Sequence, residues 1–179
     1  MTQIGSVYGE ALYELALSEG LDESIGKELG VLEQAFRENP DYGKLLRSAN
    51  LSKAERCGIL DEAFRDRVHP YLLNFLKILV EKGYIGSFDQ CCGAYTRRYN
   101  EAHGILPVTA VTAVPLTDRQ AAALTEKLSR ITGKTISLRS RVDPDVLGGV
   151  SLDYDGKRLD DTVAHRLESI HSLLKKDVL

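Results

Sequence analysis

The stretch Tyr99-Asn-Glu-Ala-His-Gly-Ile-Leu-Pro-Val-Thr-Ala-Val-Thr112 divides the chain into two kinds of pattern. Before it, apolar residues recur at the three-to-four spacing of a helix face. From Ile105 onward they alternate, with Leu106, Val108, Ala110, Thr112 and Val114 on one side and β-branched residues frequent. Gly104 sits at the change, where a glycine closes a helix in the left-handed conformation. The expected fold class is α+β: an N-terminal six-helix bundle over residues 1–104, followed by a small α+β sheet domain over residues 105–179.

Upstream of the junction, Ile4, Val7, Tyr8, Ala11, Leu12 and Leu15 predict an amphipathic helix over 3–18, closed by Gly20. A second helix over 21–38 places Ile25, Leu29, Leu32 and Phe36 on one face and stops at Asn39-Pro40. Residues 41–48 form a short third. Ser52 with Glu55 is a capping box for a fourth. Pro70 suits the first position of a fifth over 70–82, which carries Tyr71, Leu72, Leu73, Phe75, Leu76, Ile78, Leu79 and Val80 and ends at Gly83. The sixth, over 85–103, uses Phe88, Cys92, Tyr95 and Tyr99. The fifth helix is apolar on nearly every side. Either it is the central helix of the bundle, or one of its faces is kept for a partner.

Downstream, Thr117 and Gln120 make a second capping box, opening a helix through Leu124, Leu128 and Ile131 to Gly133. Ile136, Leu138, Ser140 and Val142 alternate in the next strand, and Asp143-Pro144 turns the chain. Val150, Leu152 and Tyr154 form a third strand. Asp155-Gly156 is a hairpin turn into a fourth over 157–159. Asp160 or Asp161 then caps a last helix with Val163, Leu167, Ile170 and Leu174. This second unit reads β-α-β-β-β-α and is small enough to be marginal alone.

Composition narrows the function classes. The chain has 179 residues, is 43% hydrophobic and 27% charged, and carries a net charge of −3. That is an ordinary globular balance, and the charge argues against a dedicated nucleic-acid binder. In the C-terminal part the bases are scattered rather than clustered. No apolar run is long enough to span a membrane. Cys57, Cys91 and Cys92 show no Cys-x-x-Cys spacing, giving neither a disulfide framework nor a zinc site. Cys91 and Cys92 point about 100° apart on a helix, so one is expected in the core and the other near the surface. The N-terminus lacks the basic and apolar regions of a secretory signal. The first 38 residues hold eight acids against Lys27 and Arg37, unlike an organelle presequence. A reducing, cytoplasmic compartment is expected.

Signals for chemistry are weak. Gly133-Lys134-Thr135 looks like the end of a phosphate-binding loop, but Leu128 occupies the first glycine position and the tripeptide enters a strand, not a helix. Asp143, Asp145, Asp153, Asp155, Asp160 and Asp161 match no calcium loop and have local roles at turns and caps. His69, His103, His165 and His171 form no metal-binding or catalytic pattern. Gly148-Gly149 before a strand marks a bulge or close backbone approach. No catalytic residue, metal site or cofactor is expected. What remains is a two-part adaptor whose bundle suits a partner helix laid in a groove.

Six collinear segments resemble one family. They are Tyr8-Gly-Glu-Ala-Leu-Tyr-Glu-Leu-Ala16, Asn74-Phe-Leu-Lys-Ile-Leu-Val-Glu-Lys-Gly83, Tyr99-Asn-Glu-Ala-His-Gly-Ile105, Val111-Thr-Ala-Val-Pro-Leu116, Val142-Asp-Pro-Asp-Val-Leu-Gly-Gly-Val150, and Leu159-Asp-Asp-Thr-Val163 followed by Arg166-Leu167. In order and spacing they resemble the delta subunits of bacterial and chloroplast ATP synthases, the family that includes the mitochondrial oligomycin-sensitivity-conferring protein. The motif positions are Asn74, Gly83, Gly104, Asp143, Gly148, Gly149, Asp160 and Arg166. The chain departs from the family pattern at Gly9 (commonly Ala), Tyr84 (commonly basic), Asp161 (Gly) and Thr162 (Ser).

The resemblance implies a non-catalytic stator subunit of a proton-translocating F-type ATP synthase. It implies attachment at the cytoplasmic face of the bacterial membrane through the complex, with no direct membrane insertion. In the family, the helical domain holds the N-terminal helix of an alpha subunit between its first and fifth helices. The second domain meets the C-terminal region of the b subunits, so that the catalytic head is held against rotor torque. The groove residues implied are Tyr8, Ala11, Leu12 and Leu15 on the first helix, with Leu72, Phe75, Leu76 and Leu79 on the fifth. Which of these face the bundle core instead is left open by the periodicity.

Overall fold

The computed structural model describes residues 3–146 and 148–160. The chain divides into two compact units, Met1–Tyr99 and Asn100–Leu179. The division falls within the last helix of the first unit, ahead of the junction expected at Gly104.

The first unit is helical: α1 (Gln3–Ser18), α2 (Asp22–Glu38), α3 (Pro40–Leu46), α4 (Lys53–Phe64), α5 (Pro70–Lys82), a 3₁₀ turn (Ile85–Ser87) and α6 (Phe88–Ala102). The boundaries follow local chemistry. The Glu55 N–H donates to Ser52 Oγ at 3.2 Å and the Ser52 N–H to Glu55 Oε2 at 2.8 Å, completing the capping box that opens α4. These bonds hold the Glu55 carboxyl below its ordinary range. His69 caps α5: the Tyr71 N–H donates to its Nδ1 at 3.3 Å, and its own N–H reaches Glu28 Oε2 on α2 at 2.7 Å. Gly83 ends α5 at φ 77°, and the Tyr84 N–H folds back to the Leu79 carbonyl at 2.7 Å. The sixth helix is shorter than the sequence suggests. Residues 85–87 tighten into the 3₁₀ turn, and regular helix begins only at Phe88.

One apolar core runs through this unit, and α5 supplies more of it than any other helix: Leu72, Leu73, Phe75, Leu76, Leu79 and Val80. Around it pack Leu12 and Ala16 of α1, Ile25, Leu29 and Leu32 of α2, Leu60 of α4, and Phe88 and Tyr95 of α6. The expectation that only one of Cys91 and Cys92 is internal is corrected, since both are buried. Helix α6 is covered on two flanks. The Cys91 backbone lies against Gly9 of α1, while Cys92 is close enough to Glu33 of α2 to feel its charge.

The second unit contains β1 (Ile105–Thr112), α7 (Asp118–Thr132), β2 (Thr135–Val142), β3 (Val150–Tyr154) and β4 (Lys157–Asp160). The sheet order is β2-β1-β3-β4. Strands β1 and β2 run parallel, joined through α7, and β3 and β4 are antiparallel additions. Thr117 and Gln120 cap α7 reciprocally. Asp155 (φ 48°) and Gly156 (φ 71°) occupy the two positive-φ positions of the β3–β4 hairpin. The core here is small: Val108, Ala110, Ile136 and Leu152, with Leu124 and Leu128 of α7 half-buried over them. Asp160, expected as a helix cap or its neighbour, is the last residue of β4. The expected final helix, with Asp161, Val163, Arg166, Leu167, Ile170 and Leu174, lies outside the described residues.

Candidate docking surface

The residues expected to wall a groove separate into two depths. On α5, Leu72, Leu76 and Leu79 are wholly buried and Phe75 nearly so; on α1, Leu12 is buried as well. These five pack in the unit's own core and do not face solvent. Tyr8 is half-buried, with its ring edge-on to Tyr84 at 5.9 Å between centroids. Ala11 is exposed, and Leu15 is 41% exposed.

Part of the exposed apolar surface comes from residues outside the expected groove set. Val7 is 59% exposed and Ile78 is 43% exposed. Val7, Ala11 and Leu15 lie at i, i+4 and i+8 along α1, a single stripe. Asn74 and Ile78 form the matching i, i+4 pair on the solvent side of α5. The signal was present in the sequence. Once the deepest α5 positions are fixed at 72, 76 and 79, Asn74 and Ile78 fall on the opposite side of the helix. An exposed isoleucine beside an exposed asparagine is then the place where the apolar character exceeds what the core consumes.

Charged pairs lie on these and neighbouring helices. Lys77 Nζ is 2.7 Å from Asp61 Oδ1, a half-shielded pair tying α5 to α4. On α1 and α2 acids predominate, and several are held by neighbours one turn away, as in Glu23–Lys27 and Glu33–Arg37.

The motif glycines have backbone reasons. Gly104 (φ 62°), Gly148 (φ 140°) and Gly149 (φ 89°) all adopt conformations that side chains disfavour. Asp143 organises the turn before the Gly-Gly pair: its N–H donates to the Thr112 carbonyl at 2.9 Å, and its Oδ1 accepts from the Asp145 N–H at 3.2 Å. These are positions of turn geometry, not of chemistry.

Among the described residues, no group of three His, Cys, Asp or Glu side chains converges as a metal site would require. No described helix is long and apolar enough to cross a membrane. A cleft of about 710 Å³ lies where α2, α3 and α4 meet and is lined by Phe36, Tyr42, Leu45 and Phe64. Its rim acids are engaged locally, Asp41 with Lys44 at 2.8 Å and Glu38 with Gln34 at 2.7 Å. No nucleophile–base pair faces it. Burial, the foremost cause, drives the Cys91 thiol up to about 11 and the Cys92 thiol higher still, the reverse of what a nucleophilic cysteine needs.

The chain thus comprises a helical unit with surplus exposed apolar surface and a small mixed-sheet unit. Comparison with known proteins gives it a family. The profile described as "ATP synthase delta (OSCP) subunit" matches residues 4–174. The ATP synthase subunit delta of Gloeobacter violaceus is 36% identical over 170 residues, covering 94% of this chain and 92% of that one. That of Alkaliphilus oremlandii is 31% identical over 169 residues, covering 94% of each. A chain of the Toxoplasma gondii mitochondrial ATP synthase hexamer shares the fold, with a TM-score of 0.78 at 19% identity over 97% of this chain and 98% of that one. The chain belongs to the ATP synthase delta (OSCP) family. Its role is that of a non-catalytic structural subunit of the F-type ATP synthase, consistent with linkage to the peripheral stalk.

Proposed function

We propose that the helices of the first unit act as one bundle that receives the N-terminal helix of an alpha subunit on the face shared by α1 and α5. The second unit, in this reading, meets the C-terminal region of the b subunits. The chain thereby joins the catalytic head to the stator on the cytoplasmic side of the membrane. The observation that carries the proposal is the exposed stripe Val7-Ala11-Leu15 on α1 together with Ile78 on α5.

The two depths of apolar residue have separate tasks. Leu12, Leu72, Phe75, Leu76 and Leu79 set the shape of the floor from within the core. Tyr8, Ala11, Leu15, Val7 and Ile78 offer the surface that a partner helix covers. A fully covered leucine or isoleucine side chain contributes about 1.5–3 kcal/mol, so two or three anchors dominate such a contact. The acidic character of α1 and α2 complements a basic partner segment and acts mainly on the association rate.

The test is titration of the full chain with the alpha subunit's N-terminal peptide, comparing wild type with Leu15→Glu and Ile78→Glu. Both substitutions lie at exposed positions and leave the core intact. Loss of binding in both, with unchanged thermal unfolding, supports the groove; unchanged affinity in both removes this face from the partner surface.

A further inference from the structure

We propose that the free edge of β2 takes up an extended acidic segment of a partner protein as an added strand. Three observations carry it. First, β2 is an edge: among the described residues it pairs only with β1, at one end of the order β2-β1-β3-β4. Second, it is long and regular. Its eight residues pair one-to-one with β1 from Thr135 to Val142, with no bulge and no proline. Alternate residues of a strand turn their N–H and C=O groups to the same side, so such an edge offers a ready template for a further strand. The opposite edge, β4, has four residues, and its Arg158 is spent on Asp153 at 2.8 Å.

Third, the side chains specify a sign. Thr135, Ser137, Arg139 and Arg141 share one face of β2 and all are exposed. Among the described residues, neither Arg139 nor Arg141 has a carboxylate within ion-pair distance. Side chains directly opposite on neighbouring strands stand about 5 Å apart. An incoming strand with Asp or Glu at alternate positions sets carboxylates beside both guanidinium groups. The same geometry disfavours a second copy of this chain. Antiparallel pairing of two β2 edges over most of their length, with their helices on the same side, sets arginine opposite or diagonal to arginine. On the other face, Val142 is 44% exposed and Leu138 half-buried, which suits apolar residues at the intervening positions of the incomer. This inference does not depend on the α1–α5 groove.

The experiment uses the full chain and an acetylated nine-residue peptide alternating Val and Glu, with the Val–Lys peptide as control. Amide hydrogen exchange across residues 135–142 is the readout. We expect at least a tenfold slowing of the outward amides of β2 with the acidic peptide and none with the basic one. The slowing should be lost in Arg139→Glu/Arg141→Glu and weakened in Arg139→Gln/Arg141→Gln, which serves if the charge reversal unfolds the sheet. No slowing with the acidic peptide, equal slowing with both peptides, or concentration-dependent dimerisation of the free chain through this edge would overturn the proposal.

Discussion

The carbonyl oxygen of Cys91 on α6 occupies the place a β-carbon on Gly9 of α1 would need, and the Ala94 methyl stands 2.8 Å from the same point. One turn earlier a β-carbon on Gly5 would meet Gln90 Cβ at 2.5 Å. Helices α1 and α6 therefore meet backbone to backbone along Gly5-x-x-x-Gly9. At Gly9, α1 sits closer to α6 than an alanine allows.

Gly9→Ala is accordingly expected to destabilise the chain, against the ordinary preference for alanine in a helix. Intrinsic propensity favours alanine by up to about 1 kcal/mol, while inserting a group into a closed backbone contact costs about 1–3 kcal/mol. A lowered urea midpoint with an unchanged slope is the expected result; a raised midpoint means that α1 moves aside without cost.

Tyr13 and Tyr95 pack edge to face at 5.4 Å and differ in what their hydroxyls do. Tyr95 Oη donates to the Asp22 carbonyl at 2.7 Å, whereas Tyr13 Oη is buried with no partner among the described residues. Tyr95→Phe should cost about 1 kcal/mol or more, and Tyr13→Phe should be neutral or slightly stabilising. Thermal unfolding of the two variants checks the order, and equal losses would contradict it.

The buried thiols give a pH dependence of definite sign. Cys91 is raised from 9.0 to about 11, chiefly by burial, and Cys92 is raised further for the same first reason. A folded-state pKa above the unfolded value means that the native state keeps protons the unfolded chain releases. Stability from this source is complete below pH 9 and declines as pH rises toward 11. The urea midpoint should fall over that interval more steeply in wild type than in Cys91→Ala/Cys92→Ala. At pH 8 a thiol reagent should leave both cysteines unmodified until the chain unfolds.

Leu76 and Ile78 are two residues apart and should fail differently. Leu76 is wholly buried, so Leu76→Ala should cost about 2–5 kcal/mol of stability. Ile78→Glu, on the exposed side, should leave unfolding nearly unchanged and act on partner binding. Equal destabilisation by both would mean that Ile78 belongs to the core.

Much of the fold was legible because its punctuation is local. Ser52 with Glu55, Thr117 with Gln120, Gly83, Gly133 and Asp155-Gly156 each fix an element end within four residues, and each appears as expected. What depends on packing was less accessible. The 3₁₀ turn at 85–87 and the burial of both Cys91 and Cys92 depend on how α6 is flanked. The depth of each α5 residue had the same origin. A helix apolar on nearly every side does not announce which leucines its neighbours cover, and five of the eight expected groove residues proved to be core. Ile78 and Val7 were visible as apolar residues, but their exposure follows only from where α1 and α5 turn their other faces.

In the proposed role, α1 and α5 together receive a helix from the alpha subunit. Calorimetric titration of the full chain with the N-terminal twenty or so residues of the alpha subunit from the same organism tests it directly. Saturable one-to-one binding, abolished by Leu15→Glu with Ile78→Glu and retained by Arg139→Gln/Arg141→Gln, is the predicted result. No binding by a folded chain, or binding untouched by the double groove substitution, would contradict it.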